Sequence, residues 1–264
     1  MGRLFSPRCA LVGVVHLLPL PGSPGWRGSL AELEERALAD ARALKEGGAD
    51  AMIVENMGDL PYLNGRVDPE TVAAMAVFAR AAVREAGLPA GVQVLAGANR
   101  EALGVAVAAG MGFLRVEGFA YGHVADEGWI QASAGTLLRA RAALRAEGVK
   151  VWADVKKKHS SHAATADLDI GEIARGTAFC GADALIVTGL ATGRPADIEH
   201  VRAVRDAVPQ TPVLVGSGVE PSQAKALGAL CDAVIVGTWI KEGADWKNPI
   251  ERERVAKLKE ALGG

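Results

Sequence analysis

Residues 181–189 read GADALIVTG, and two other stretches say nearly the same thing: GADAMIVEN at 48–56 and LCDAVIVGT at 230–238. Each copy places a small residue before an aspartate (Asp50, Asp183, Asp232), then Ala, then three apolar residues rich in β-branched types, then something polar or small. An apolar run this short, with this composition, reads as a buried strand. The three copies read as one structural unit used repeatedly, with a constant start and a variable polar finish.

Working outward from these copies, eight runs of strand length appear: LVGVVH (11–16), AMIVEN (51–56), GVQVLA (91–96), FLRVEG (113–118), VKVWADV (149–155), ALIVTG (184–189), PVLVGSG (212–218) and AVIVGT (233–238). Between them lie Ala-, Leu-, Glu- and Arg-rich segments with helical spacing. In SLAELEERALADARALKEGG, Ser29 is placed as N-cap with Glu32 three residues on, and Gly47 closes the end. In DPETVAAMAVFARAAVREAG, Asp68 is the N-cap and Pro69 the first helical residue. Strand and helix alternating eight times without a Pro/Ser linker predicts one (β/α)8 barrel, a TIM barrel of the phosphate-binding type, over residues 1–264. The competing arrangement is an open doubly wound sheet. VGVVHLLPLPG has prolines where its dinucleotide fingerprint needs glycines.

Composition agrees with a barrel. Half of the residues are hydrophobic but only 5% are aromatic, which suits parallel strands under Ala-rich helices. The net charge of −2, with KKKH (Lys156 to His159) as the densest basic spot, argues against nucleic acid as a partner. Cys9, Cys180 and Cys231 are odd in number and form no CxxC pair, which fits reduced thiols in a cytoplasmic setting and argues against a structural zinc site. The opening MGRLFSPRCALVGVVHLLPLPG faintly resembles a signal peptide, but His16, Pro19 and Pro21 break its apolar run, so a first strand is expected there. No run of 18 apolar residues suggests a membrane span.

Loop lengths indicate the working end. Connections from helix into strand are short (EGGAD, AAGMG, AEGV, FCGAD, ALC), while those leaving strands at 17–28, 57–67, 119–134 and 157–169 are long. Long loops in a compact domain are usually functional, and the active face of these barrels is built by strand-to-helix loops. The constant Asp start is therefore the structural end of the unit, and the variable finish faces the site.

Two loops near the C-terminus carry a phosphate-site pattern. VGSGVEP (215–221) follows the seventh strand and VGTWI (236–240) the eighth. Gly216, Gly218 and Gly237 let backbone N–H groups approach an anion, Ser217 and Thr238 add hydroxyls, and the helix begun by Pro221 could aim its positive end there. The plainer reading is that these glycines relieve crowding where strands turn.

Strand alternation puts Trp152, Asp154 and Lys156 on one face and Val151, Ala153 and Val155 on the other. The apolar face belongs under helices, so Asp154 and Lys156 are expected in the barrel mouth, as an acid and base or as a structural ion pair. By the same logic Arg115 and Glu117 point inward, as does Glu55, and His16 ends the first strand. Three carboxylates and a histidine could hold Mg2+ through oxygen ligands, although no tight ligand spacing supports it. His159 and His162 in HSSH make only a weak metal pattern, and neither GxSxG nor HExxH occurs. The loop 118–135, with Tyr121, His123 and Trp129, reads as a closing lid, an ordered excursion or a subunit contact.

In order and wording, VGVVHLLPLPGSP, GADAMIVENMGD, FLRVEG, ADVKKKHS, PVLVGSGV and AVIVGTWIK resemble the BtpA family over nearly the whole chain. That family is named for a cyanobacterial protein needed for stable accumulation of photosystem I, and it includes SgcQ-like members beside sugar-metabolism genes. The resemblance implies a phosphate-binding barrel and brings no established catalytic residues with it.

The expectation is an enzyme acting on a phosphorylated small molecule, such as a sugar phosphate or a nucleotide derivative, by isomerase- or lyase-type acid/base chemistry. Its phosphate would lie on Gly216, Ser217, Gly218, Gly237 and Thr238. Asp154 and Lys156 would transfer protons, and Glu55, Glu117, Arg115 and His16 would complete the mouth. The alternative is a non-catalytic assembly or stability factor resembling one for photosystem I biogenesis. A homo-oligomer is compatible with the Ala-rich exterior, and no subunit number is fixed by the sequence.

Overall fold

A computed structural model describes residues 9–189 and 196–263. Eight parallel strands close into a barrel: β1 (Ala10–His16), β2 (Ala51–Glu55), β3 (Ala90–Gln93), β4 (Phe113–Val116), β7 (Lys150–Asp154), β9 (Ala184–Thr188), β10 (Val213–Gly216) and β11 (Ala233–Val236), with β11 pairing back onto β1. Each is one of the eight predicted runs. Helices α1 (Leu30–Glu46), α2 (Pro69–Ala86), α3 (Asn99–Ala109), α4 (Ala134–Ala143), α5 (Ile170–Phe179), α6 (Ile198–Ala207), α7 (Pro221–Gly228) and α8 (Arg252–Ala261) follow the successive barrel strands. Residues 1–8 of the N-terminal stretch lie outside the described residues, and the apolar run after them is strand β1.

Side-chain parity divides the core in two. Outward-facing strand residues such as Leu11, Val54, Val92 and Val215 pack under the helices in one large cluster. Inward residues such as Val12, Ile53, Phe113, Trp152, Ile186 and Ile235 fill the barrel. The Phe113 and Trp152 rings stack with centroids 3.7 Å apart. Gly91 makes room for that stack, since a Cβ there would meet the Phe113 ring at 2.2 Å.

The repeated aspartates do one job three times at the end where strands begin. Asp50 accepts the Leu11 N–H at 2.7 Å, Asp183 accepts the Val151 N–H at 2.9 Å, and Asp232 accepts the Val213 N–H at 2.8 Å. In each case the bond ties one strand's entry to the start of its neighbour. Each carboxylate also meets a helix cation: Lys259 of α8 at 2.7 Å, Arg141 of α4 at 2.8 Å and Arg205 of α6 at 2.9 Å.

Ser29 caps α1 as predicted, accepting the Glu32 N–H at 3.2 Å, whereas Asp68 starts α2 in extended geometry without a side-chain cap bond. Three short strands were not expected from the sequence. The loop after β4 folds into a hairpin, β5 (His123–Ala125) and β6 (Gly128–Ile130), and β8 (Ser160–Ser161) in the loop after β7 pairs with β5. Asn64, in the loop after β2, donates to the carbonyls of Glu127 and Trp129 at 2.8 and 3.1 Å. The excursion at 118–135 is thus pinned from two neighbouring loops.

Candidate functional site

Above the apolar barrel filling lies a layer of charge. His16, Glu55, Gln93 and Arg115 come to one level because β1–β2 and β2–β3 pair in register there, and Arg115 follows two residues after Phe113 on the inward face. All four are buried, as are Glu117 and Asp154. Arg115 organises the layer. Its Nε and Nη2 donate to the two Asp154 oxygens at 3.3 and 3.4 Å, and its Nη1 donates to Glu55 Oε1 at 3.4 Å. Burial opposes the guanidinium charge, but Asp154 and Glu55 outweigh it and hold Arg115 protonated. Gly216 faces the same interior, and a Cβ there would come within 3.6 Å of Arg115 Nη2.

His16 is neutral. Burial, with Lys241 nearby, drives its pKa well below the usual histidine value. Its Nδ1 lies 3.2 Å from the Trp246 carbonyl, which can only accept, so Nδ1 carries the proton. Nε2 is then the acceptor, 3.9 Å from Glu55 Oε2 and against Gly237. Lys241 is buried below, reaching the Val14 carbonyl at 3.3 Å and Asp40 at 3.6 Å, and burial lowers it to about 8.

The mouth has two lobes. The first, about 320 Å3, runs from Ser217, Gly218, Gly237 and Thr238 to Glu55, Arg115 and Lys158. Ser217 and Gly218 both adopt positive φ, 77° and 66°, which bends the loop after β10 around this lobe. Glu220, the N-cap of α7, also lines it and accepts the Ser222 hydroxyl at 2.8 Å, so the positive end of α7 is met by its own carboxylate. The second lobe, about 650 Å3, is bounded by Tyr62, Gln93, Glu117, Lys157 and Trp246, and it shares Glu55, Arg115, Lys158 and Thr238 with the first.

Glu117 is the most perturbed acid of the second lobe. Burial pushes its pKa up to about 7, Lys157 pulls the other way and Asp154 adds to the rise. Lys157 lies 3.7 Å from Glu117 and donates to Glu127 of the hairpin at 2.7 Å. Among the described residues no group of three or more His, Cys, Asp or Glu side chains is arranged to hold a metal. Glu55 and Asp154 are engaged by Arg115, and Glu117 faces Lys157.

The structure brings together His16, Glu55, Arg115, Glu117 and Asp154, and it sets Ser217, Gly218, Gly237 and Thr238 around one lobe. Gly216 lies beneath that lobe and gives space to Arg115. Asp154 reaches the mouth through Arg115. Lys156 lines neither lobe, and its backbone carbonyl takes the Thr188 hydroxyl at 2.9 Å. The strand ends at Asp154, so inward-outward alternation does not extend two residues further. Lys158 stands in both lobes instead, with Lys157 and Gln93 in the second. The basic run 156–159 marked the neighbourhood but not the residue.

The fold and this mouth define a (β/α)8 barrel whose charged face is built from strand-to-helix loops. The chain belongs to the BtpA family, whose model matches residues 8–263. It is 42% identical to an uncharacterized mitochondrial protein of Caenorhabditis elegans, over 97% of this chain and 93% of that one. It is 36% identical to the photosystem I biogenesis protein BtpA of Synechocystis, over 98% of this chain and 90% of the relative. Among solved structures it resembles orotidine 5'-monophosphate decarboxylase from Methanocaldococcus jannaschii (TM-score 0.59, 14% identity, 96% of this chain and 98% of the other). It also resembles N-(5'-phosphoribosyl)anthranilate isomerase from Pyrococcus furiosus (TM-score 0.57, 13% identity, 96% and 98%). At such identities the likeness is one of fold. Among the described residues no helix is long and apolar enough to cross a membrane.

Proposed function

We propose that the chain is an enzyme that binds a phosphorylated small molecule in the two-lobed mouth and moves protons at the end remote from the phosphate, in an isomerase- or lyase-type reaction. One observation carries this reading: a single cavity joins Gly218, Gly237 and Thr238 to Glu55, Arg115 and Lys158. The loops after the last two barrel strands are where such folds commonly seat a phosphate. The two solved structures named above are, by their names, a decarboxylase and an isomerase of phosphorylated substrates, which supports the ligand class by analogy of fold.

In this reading Ser217, Gly218, Gly237 and Thr238 hold the phosphate. Arg115 orients the reacting end, held by Asp154. Glu55 and Glu117 are the proton carriers, Glu117 because burial tunes it to about 7, where it can both give and take a proton. The cysteines are free thiols, with the Cys9 and Cys231 sulfurs 3.6 Å apart, which fits a reducing compartment, and the cytoplasm is the proposed one.

The name of the Synechocystis relative, together with a Phe179 side chain 93% exposed at the end of α5, favours a second reading as an assembly factor. Thermal unfolding against sugar phosphates, nucleotides and free phosphate, for wild type and Gly218→Asp, separates the two. A ligand at about 100 times its dissociation constant adds roughly 2.7 kcal/mol, a rise of several degrees. A rise in wild type that is lost in a folded Gly218→Asp supports the enzyme reading. No rise with any compound overturns it.

A further inference from the structure

We propose that Lys158 is a nucleophile that forms an imine with the carbonyl carbon of a short phosphorylated aldehyde or ketone. The proposal rests on the phosphate lobe described under the proposed function and names the substrate class for it. Of the three lysines in the run, Lys156 faces neither lobe and Lys157 is fixed by Glu127 at 2.7 Å. Lys158 lines both lobes, in the same cavity wall system as Gly218 and Thr238. Among the described residues no carboxylate lies within 4.0 Å of its amine, so no ion pair takes it out of use.

Its surroundings suit a free amine. Burial, the largest cause, and the neighbouring Arg115 guanidinium both lower its pKa, against the weaker opposing pull of Glu55, Glu117 and Asp154. A lysine desolvated beside a second cation is a recurrent way of making an amine nucleophilic at neutral pH. The acids needed to complete the step share the cavity: Glu55 lines both lobes and Glu117 the second.

The step balances without a co-reactant. The ammonium first gives a proton to a mouth carboxylate or to water. The amine lone pair then attacks the carbonyl carbon, and the C=O π pair moves to oxygen, which takes a proton. Nitrogen loses a second proton, the carbinolamine hydroxyl is protonated and leaves as water, and the nitrogen pair forms C=N. The nitrogen keeps its last proton, so the product is already the iminium. In sum, ammonium and carbonyl become iminium and one water. The iminium withdraws electrons from the adjacent carbon, where proton loss or carbon–carbon cleavage follows, in keeping with an isomerase or lyase.

The test is reductive trapping. Wild type, Lys158→Arg and Gly218→Asp are incubated with dihydroxyacetone phosphate or glycolaldehyde phosphate and cyanoborohydride, then read by intact mass and peptide mapping. Thermal unfolding with the same compounds, unreduced, runs in parallel. The expected result is one adduct on Lys158, formed faster than on exposed lysines, as a larger free-amine fraction requires. It is suppressed by inorganic phosphate and absent from a folded Lys158→Arg. Adducts spread evenly over surface lysines, or none, while the compounds still raise the unfolding midpoint, would overturn the imine and leave the phosphate lobe standing. An adduct on Lys158 without a midpoint rise and without competition by phosphate would support the nucleophile and overturn the phosphate reading. Neither signal overturns both.

Discussion

Arg115 and Asp154 meet across the barrel mouth from neighbouring strands, Nε to Oδ1 at 3.3 Å and Nη2 to Oδ2 at 3.4 Å, with both side chains buried. The same guanidinium reaches Glu55 at 3.4 Å from the opposite side. One cation thus fixes two carboxylates contributed by β2 and β7, and it cannot move without releasing both.

Asp154→Asn should therefore do more than remove one acid. It leaves the buried Arg115 charge half compensated, and removing one partner of a buried pair costs about 3–5 kcal/mol. Urea denaturation should show a lower midpoint with an unchanged slope. The double change Arg115→Met with Asp154→Leu should cost less than the sum of the two single changes, because it removes both partners of that pair and leaves only Glu55 without its cation. Additive losses would mean that the two side chains act independently.

Glu117 makes stability depend on pH in an unusual direction. Its folded pKa, about 7, lies above the ordinary carboxylate value of 4.5, so the native state holds a proton that the unfolded chain has lost. Its stabilising contribution is full below about pH 4.5 and is lost as pH rises through 7, on the order of 3 kcal/mol in all. Glu117→Gln should remove this dependence, so that the stability difference between variant and wild type grows in the variant's favour from pH 5 to 8. A difference that is flat over that range would show that Glu117 ionises as an ordinary carboxylate.

Gly237→Ala should disturb the first lobe through His16. The new Cβ would lie 2.8 Å from His16 Nε2, and the ring is tethered by Nδ1 to the Trp246 carbonyl. Crowding of this kind costs about 1–3 kcal/mol. The midpoint rise given by phosphorylated compounds should shrink as well. Differential scanning calorimetry with and without ligand reads both effects, and an unchanged profile would mean that the lobe has slack at this point.

Asp183→Ala acts at the far end of the barrel. It removes the acceptor for the Val151 N–H and for Arg141, at a cost of about 1–3 kcal/mol. Ligand affinity measured by isothermal titration should not change, since the site is at the other end of the strands. A loss of affinity would show that the staple end is coupled to the mouth.

All eight barrel strands and the staple aspartates were legible in the sequence. β-branched runs and short Asp-led turns are local signals, and parallel strands buried on both faces write them strongly. Parity along a strand also put Arg115 on the inward face and Asp154 on the same face as Trp152, as the structure has them, because alternation holds as long as the strand does. It could not place Lys156 and Lys158, which follow the strand's end. There the path is set by non-local pairing: Lys157 to Glu127, β8 to β5, and Asn64 to the hairpin. Local signals along the chain were enough to specify the barrel and the inward charges on its strands. Which lysine enters the mouth, that Asp154 serves Arg115, and that burial tunes Glu117 were settled by packing, because loop trajectories and desolvation depend on neighbours far away in the chain.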